Sequence, residues 1–423
     1  MPLQLVETSD EDSFVSVAHH LAELLNEGQT RTALADTPAT IFLNDCVNLV
    51  QEQRYEEYVS RISSQVNTIY TKMTDKEAEC CLSIAVHAVG RVPNDGQQAA
   101  ATTLANALCQ SDERAEERLT ALLSLYGILS SQPAAQLAVL LATAGYAARN
   151  SAKCRATFCS AVRGKAQRWV AQWQLGPSES RQLYLALAAA MRGASDRPTT
   201  REHLALVSLA LSLPGTSDKA PEVVEAAAGA LADYLRSSSV YTLDLLPLPA
   251  VAALADSPKY APLHKLVTTV VAGDVAGARD ASASAALEAA GGVSTEAVLS
   301  KARMTALLAA CARAGHGEVA LGDLRVALDV PEDQVQSWIV RAIGAKLLEG
   351  RVDSVRGTVS VARSTHPCFG QAQWSKLATQ LAALKETVAT AAAAMSQVRP
   401  PQHVIARAAS VAAAREAAAA SRA

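Results

Sequence analysis

From Phe14 to about Ala314, apolar residues return at every third or fourth position, and Gly, Pro, Ser and Asp interrupt them at intervals of one helix length. Phe14, Val17, Leu21 and Leu24 or Leu25 share one face of a first helix, with Thr8 or Ser9 as its expected N-cap before an acidic first turn. The same spacing predicts helices over 41–53, 76–89, 114–129, 134–149, 152–175, 178–191, 221–235, 250–255, 260–271, 276–290 and 296–314. Gly90, Pro93, Pro133, Gly176 with Pro177, and Gly193 with Pro198 fall between segments, where helix breakers belong. Such short connections make neighbouring helices antiparallel. Each pair is too thin to bury its own apolar face, so a long row of them predicts an all-α helical-repeat solenoid. Hydrophobic residues fill 50% of the 423 positions but aromatics only 4%, so Ala, Leu and Val must build the core, which speaks against an all-β fold. The length allows two or three domains.

After Gly315 the pattern changes. Glu318, Val319 and Ala320 read as a short strand and 321–327 as a short helix. Val330-Pro331 is a turn that delivers Glu332 and Asp333 to the first turn of a second helix. That helix sets Val335, Trp338, Ile339, Ala342 and Ile343 on a single stripe expected to be buried. Residues 347–361 read as two strands around 354–357, with Val352, Val359 and Val361 as pairing positions. Helix, turn, helix and hairpin in that order make a small α+β winged helix. A long helix is expected over about 371–398, stopped by Pro400 and Pro401. Its apolar positions, Trp374, Leu377, Leu381, Leu384, Val388, Ala391 and Met395, alternate steps of three and four, an a/d seam that requires a partner helix. The Ala- and Arg-rich segment 402–423 reads as a mobile or weakly helical tail.

Lys and Arg total 38 against 41 Asp and Glu, a net charge of −3, so no global positive field attracts nucleic acid or an anionic membrane. Any RNA contact must be local. Residues 119–148 carry no charge and are long enough to span a bilayer, but Ser130, Ser131, Gln132 and Pro133 divide them into two pieces too short to do so. Two buried helices joined by a turn are expected, and no membrane partner. Eight Cys in a chain whose first ten residues show no signal peptide point to a reducing compartment, free thiols and a cytoplasmic location.

Cys80, Cys81 and His87 fall on one expected helix and Cys154 and Cys159 on another, without the paired hooks of structural zinc. Cys80 and Cys81 point about 100° apart on a helix, so all four cysteines read as buried thiols rather than metal ligands. His19 and His20 near Glu23 read as an amphipathic helix surface. No phosphate-binding P-loop, dinucleotide glycine fingerprint, His-Glu-x-x-His pair or Gly-x-Ser-x-Gly elbow occurs. No enzyme, cofactor, metal or small-molecule substrate is expected.

The second helix of the winged helix could in principle enter a DNA groove. Its outward face carries Glu332, Asp333, Gln334, Gln336 and Ser337, with Arg341 the only base, so no DNA partner is expected. Arg351, Arg356 and Arg363 line the wing as a candidate RNA rim or a solvated edge. Trp169 and Trp173, one turn apart, have the spacing of core residues. His366 and Phe369 stand where the wing meets the terminal helix, either stapling that helix or touching a partner.

A helical-pair array running into a winged helix and a terminal helix resembles the PCI family of scaffold subunits, found in the proteasome lid, the signalosome and eukaryotic translation initiation factor 3. Within that family the residues are most similar to the subunit M lineage of initiation factor 3. Trp169-Val170-Ala171-Gln172-Trp173-Gln174-Leu175 resembles its W-hydrophobic-x-x-W-x-L signature, and Tyr241 to Val251 resembles the segment that enters its PCI domain. Ala302-Arg303-Met304-Thr305-Ala306-Leu307-Leu308 resembles its methionine-arginine-leucine-leucine helix with Arg303 and Met304 in reversed order. Ser364-Thr365-His366-Pro367-Cys368-Phe369-Gly370-Gln371-Ala372-Gln373-Trp374 resembles its S-T-H-x-x-F-G-x-x-Q-W. Leu377 and Leu384 stand where that lineage shows aromatics.

The sequence divides into a helical-repeat region over 1–220, a helical segment over 221–315, a winged helix over 316–365, a long helix over 366–398 and a flexible tail over 399–423. The resemblance, which covers roughly 151–392, implies that 221–315 is the helical part of a PCI domain and 366–398 a bundle helix, and it has no counterpart for the tail. It implies a non-catalytic scaffold that touches other PCI and MPN subunits and the small ribosomal subunit, with winged helices stacked edge to edge and terminal helices bundled. Phe369, Trp374, Leu377, Leu381, Leu384, Val388 and Met395 would carry the terminal contact. A PCI subunit of the signalosome or lid, and a helical-repeat regulator that binds nucleic acid, are the alternatives.

Overall fold

The computed structural model describes residues 12–26, 37–194, 196–214, 221–282, 288, 291–315, 317–397, 403, 406–407 and 409–411. It opens with α1 (Ser13–Asn26), α2 (Pro38–Gln51), α3 (Tyr55–Ser63), α4 (Val66–Lys72), α5 (Asp75–Arg91), α6 (Asn94–Cys109), α7 (Ala115–Ile128) and α8 (Pro133–Arg149). Then come α9 (Ala152–Val162), α10 (Ala166–Trp173), α11 (Pro177–Met191), α12 (Arg197–Ser212) and α13 (Pro221–Arg236). α14 (Pro249–Ala252), the 3-10 turn Ala253–Asp256, α15 (Ala261–Ala272), α16 (Val275–Ala281) and α17 (Thr295–Ala314) lead to a winged helix. Its elements are β1 (Glu318–Ala320), α18 (Leu321–Leu328), α19 (Glu332–Gly344), β2 (Leu348–Asp353) and β3 (Thr358–Ser364), and α20 (Gln371–Gln397) follows. The chain divides into two compact units, Met1–Pro367 and Cys368–Ala423.

Helix starts follow the expected grammar. The Asp12 carboxylate accepts from Phe14 N–H (2.9 Å) at the start of α1. The caps expected there, Thr8 and Ser9, lie outside the described residues, and the first turn of α1 holds no acid. Thr37 caps α2 and Asp196 caps α12, each with a proline at the start of the helix. Beyond their neighbours, α3 lies on α6, α5 on α7, α6 on α8 and α8 on α11, the stacking by which thin layers bury each other's apolar faces. The expected solenoid is therefore present. α7 ends at Ile128 and α8 starts at Pro133, dividing the uncharged 119–148 stretch as its turn residues require. No helix among the described residues is long and apolar enough to cross a membrane.

One side chain in this array breaks the apolar rule. Arg118 is fully buried, and its guanidinium donates to Glu113 O (2.8 Å), Leu108 O (3.1 Å) and Asn67 Oδ1 (3.0 Å) while lying 4.2 Å above the Tyr70 ring. Carbonyls and a ring thus replace the water its charge gives up.

The structure corrects the sequence reading elsewhere in the array as well, and the helix expected over 276–290 ends at Ala281 as α16. The single helix expected over 152–175 is two helices. Arg163 is extended and Gly164 takes φ +70, a left-handed conformation that ends α9 after Val162. The segment 250–255 begins as α14 and tightens into the 3-10 turn. α3, α4, α6 and α12 were not singled out, and two of them are shorter than ten residues. Cys80 is exposed rather than buried, whereas Cys81, Cys154 and Cys159 are buried, and no disulfide joins cysteines among the described residues. Burial pushes the Cys81 thiol up to about 11. Among the described residues no group of His, Cys, Asp and Glu could hold a metal ion.

Candidate partner interface

Ser294 starts α17 by accepting from Ala297 N–H (3.3 Å). Ala302, Met304, Ala306, Leu307 and Leu308 are all buried, so the motif around Arg303 and Met304 is core, and Arg303 reaches out to Leu328 O (3.3 Å). At the end of α15, Gly273 turns at φ +75 beside α17, where a Cβ would sit 2.8 Å from Ala306 Cα; only glycine lets the two helices meet so closely.

α17 also brings Lys301 into the interior at 4% exposure. Its ammonium donates to Tyr234 O and to Ser237 O (2.6 Å), closing the C-terminal end of α13, and lies 3.9 Å from the Tyr234 ring centroid and 5.7 Å from that of Tyr241. Burial pushes its pKa down to about 7. The segment that begins with Tyr241 continues to Leu243, whose N–H donates to Pro367 O (2.8 Å) just beyond the wing.

The three strands of the winged helix are antiparallel in the order β1-β3-β2. Val359 in β3 faces Val319 on one side and Val352 on the other, with an irregularity at Glu349 and Gly350. On α19, Val335, Ile339 and Ala342 are buried, while Trp338 and Ile343 are half-buried, a narrower stripe than the spacing alone implied. The outer face exposes Glu332, Asp333, Gln334, Gln336 and Ser337. Arg341 is drawn over the Trp338 ring at 5.2 Å. The first turn, which in groove docking meets phosphates, is therefore acidic. On the wing, Arg356 lies 3.9 Å from the Asp353 carboxylate and Arg363 3.3 Å from Glu349, whereas Arg351 has no ion pair among the described residues. Two of the three rim arginines thus spend their charge on their own hairpin.

The second unit begins with a helix start built from Phe369, Gly370, Gln373 and Trp374. Gly370 precedes α20, and its N–H donates to the Gln373 side-chain oxygen (3.0 Å). Phe369 packs edge-on against Trp374, with ring centroids 4.9 Å apart and an interplanar angle of 87°. This pairing of the residue before the cap with the fourth helical residue is a hydrophobic staple, beside half of a capping box. Of the two expected roles for Phe369, the staple is the one the geometry displays. The remaining seam residues stay open. Trp374 is 58% exposed, Leu381 55%, Leu384 59%, Val388 58% and Met395 76%, while Leu377 is half-buried. The tail calls for description only at residues 403, 406–407 and 409–411, which are helical; the rest of 402–423 lies outside the described residues.

Elsewhere, Trp169 and Trp173 are buried and stacked at 5.8 Å, with Tyr126 edge-on to Trp169 at 5.9 Å. They are core, as their spacing implied. His20 lies 3.9 Å from Glu23 on the half-open face of α1.

The PCI domain family matches residues 294–363, from the Ser294 cap through α17 and the winged helix into β3. Curated relatives include eukaryotic translation initiation factor 3 subunit M of Aspergillus clavatus, 29% identical over 218 residues, covering 50% of this chain and 45% of that protein. The protein of that name from Neosartorya fischeri is 28% identical over 218 residues, covering 50% and 46%. That from Emericella nidulans is 30% identical over 227 residues, covering 50% and 48%. The chain spans about half the length of the curated relatives it matches. Residues 294–363 are therefore a PCI domain, in a chain similar over half its length to eukaryotic translation initiation factor 3 subunit M.

Proposed function

We propose that this chain is a non-catalytic scaffold subunit of eukaryotic translation initiation factor 3. It would support recruitment of mRNA and initiator tRNA to the small ribosomal subunit in the cytoplasm, through protein contacts of its PCI domain and α20. The single observation that carries this reading is the open seam of α20. A soluble helix gains nothing by exposing Trp374, Leu381, Leu384, Val388 and Met395 in one line unless other helices cover them. The partners are other PCI and MPN subunits, whose terminal helices complete the bundle. The domain borders at 220, 315, 365 and 398 belong to the same proposal. The acidic first turn of α19 supports a winged helix that packs on protein rather than DNA.

Affinity purification of the tagged full chain followed by mass spectrometry tests the reading. Subunits of initiation factor 3 are expected at near-stoichiometric recovery. Recovery of signalosome or lid subunits in their place would refute it.

A further inference from the structure

The net charge of −3 hides a strong segregation. Residues 1–148 carry nineteen acids against eight bases, whereas 149–213 carry ten bases against only three acids. Part of this basic segment is matched internally: Arg149 pairs with Asp112 (3.6 Å) and Lys153 with Glu116 (2.5 Å). The rest is not. Lys165, Arg168, Arg197 and Arg201 are exposed and pair with no carboxylate among the described residues.

The fold gathers these four. Gly164 N–H donates to Glu202 Oε1 (2.6 Å), and Arg163 lies 3.2 Å from Asp196 and 3.9 Å from Glu202. These contacts clamp the α9–α10 joint against the N-terminal end of α12. Lys165 and Arg168 therefore flank one side of the joint, and Arg197 and Arg201, one turn apart on α12, flank the other. The clamp consumes the local acids and leaves the surrounding cations without a carboxylate, Lys165 donating to the Ala161 carbonyl (2.5 Å). Arg197 also donates to Ala345 O (2.8 Å) at the end of α19, which adds the exposed and unpaired Lys346 to the same band.

We propose that this band binds the phosphate backbone of structured RNA without reading its sequence. No large hydrophobic residue is exposed between 149 and 213 among the described residues, so the band lacks the apolar anchor that a protein interface uses. It also lacks an exposed aromatic on which single-stranded bases would stack. Clustered cations without anchor or platform suit contacts to a folded RNA backbone. The choice of RNA over another polyanion rests on the reading of the chain as part of an initiation complex. The wing arginines, two of which are paired, are not part of this band.

The test uses the purified full chain and a fluorescently labelled RNA duplex of mixed sequence. Anisotropy is expected to report binding that weakens with salt, with a log–log slope of roughly −4 for about five phosphate contacts. The variant Lys165→Glu, Arg168→Glu, Arg201→Glu is expected to lose at least about tenfold in affinity and to flatten the slope. The charge-matched variant Arg91→Glu, Lys259→Glu, Arg313→Glu, exposed cations outside the band, is expected to stay within about twofold. Equal losses in both variants, or binding insensitive to salt, would overturn the proposal. Competition by polyglutamate as effective as by unlabelled duplex would do so as well, in favour of an acidic protein. Duplex binding is read on the isolated chain and complex membership by co-purification of the same variant, so either idea can fail alone.

Discussion

A chain carrying Leu381→Asp is expected to leave its complex while keeping wild-type helicity by circular dichroism. Leu381 is 55% exposed in α20, so the substitution costs the isolated chain little. In a bundle the same position is buried against partner helices, and an unpaired carboxylate there costs about 3 kcal/mol or more, roughly a hundredfold in affinity. Co-purification should therefore fall to background. Retained assembly would remove the seam from the interface, and lost helicity would place Leu381 in the chain's own core.

Lys301→Met is expected to lower the stability of the PCI region by about 2 kcal/mol at neutral pH, with a clear fall in melting temperature. Methionine fills a similar volume but leaves the carbonyls of Tyr234 and Ser237 without their donor. The pH dependence separates this role from simple packing. The folded-state pKa of about 7 lies below the ordinary lysine value of 10.5. The unfolded chain therefore binds more protons across that window, and wild-type stability gains with rising pH from this group. The methionine variant lacks the gain. The difference between the two proteins is expected to widen from pH 7 to pH 9, by up to about 1.4 kcal/mol per unit. A constant difference would mean that Lys301 stays charged throughout.

Much of this architecture was legible because helix starts and stops are local chemistry. Pro133 and Gly176-Pro177 mark boundaries by their own backbone limits, whereas the Asp196 cap and Pro198 that start α12 read in the sequence only as an interruption. The winged helix was legible for the same reason, since Val352, Val359 and Val361 pair where their β-branched side chains favour strand. The break at Gly164 was not, because an isolated glycine inside a helical pattern is tolerated in many helices and here the clamp to α12 stabilises the turn. The burial of Arg118 and Lys301 was hidden for another reason. Their acceptors are carbonyls ten and sixty-odd residues away in sequence, so no spacing betrays them. The seam of α20 was visible from period alone, while the meaning of Phe369-Gly370 and Gln373-Trp374 as a helix start emerged only from the ring contact and the cap.

The proposed scaffold role places the apolar line on α20 against terminal helices of other subunits. Lys376 and Lys385 flank that line, which makes cross-linking mass spectrometry of the assembled complex the most direct measurement. Both lysines are expected to cross-link to the C-terminal helices of PCI or MPN subunits, and Leu381→Asp is expected to abolish those links. Cross-links confined to ribosomal proteins, or to residues of this chain alone, would contradict it.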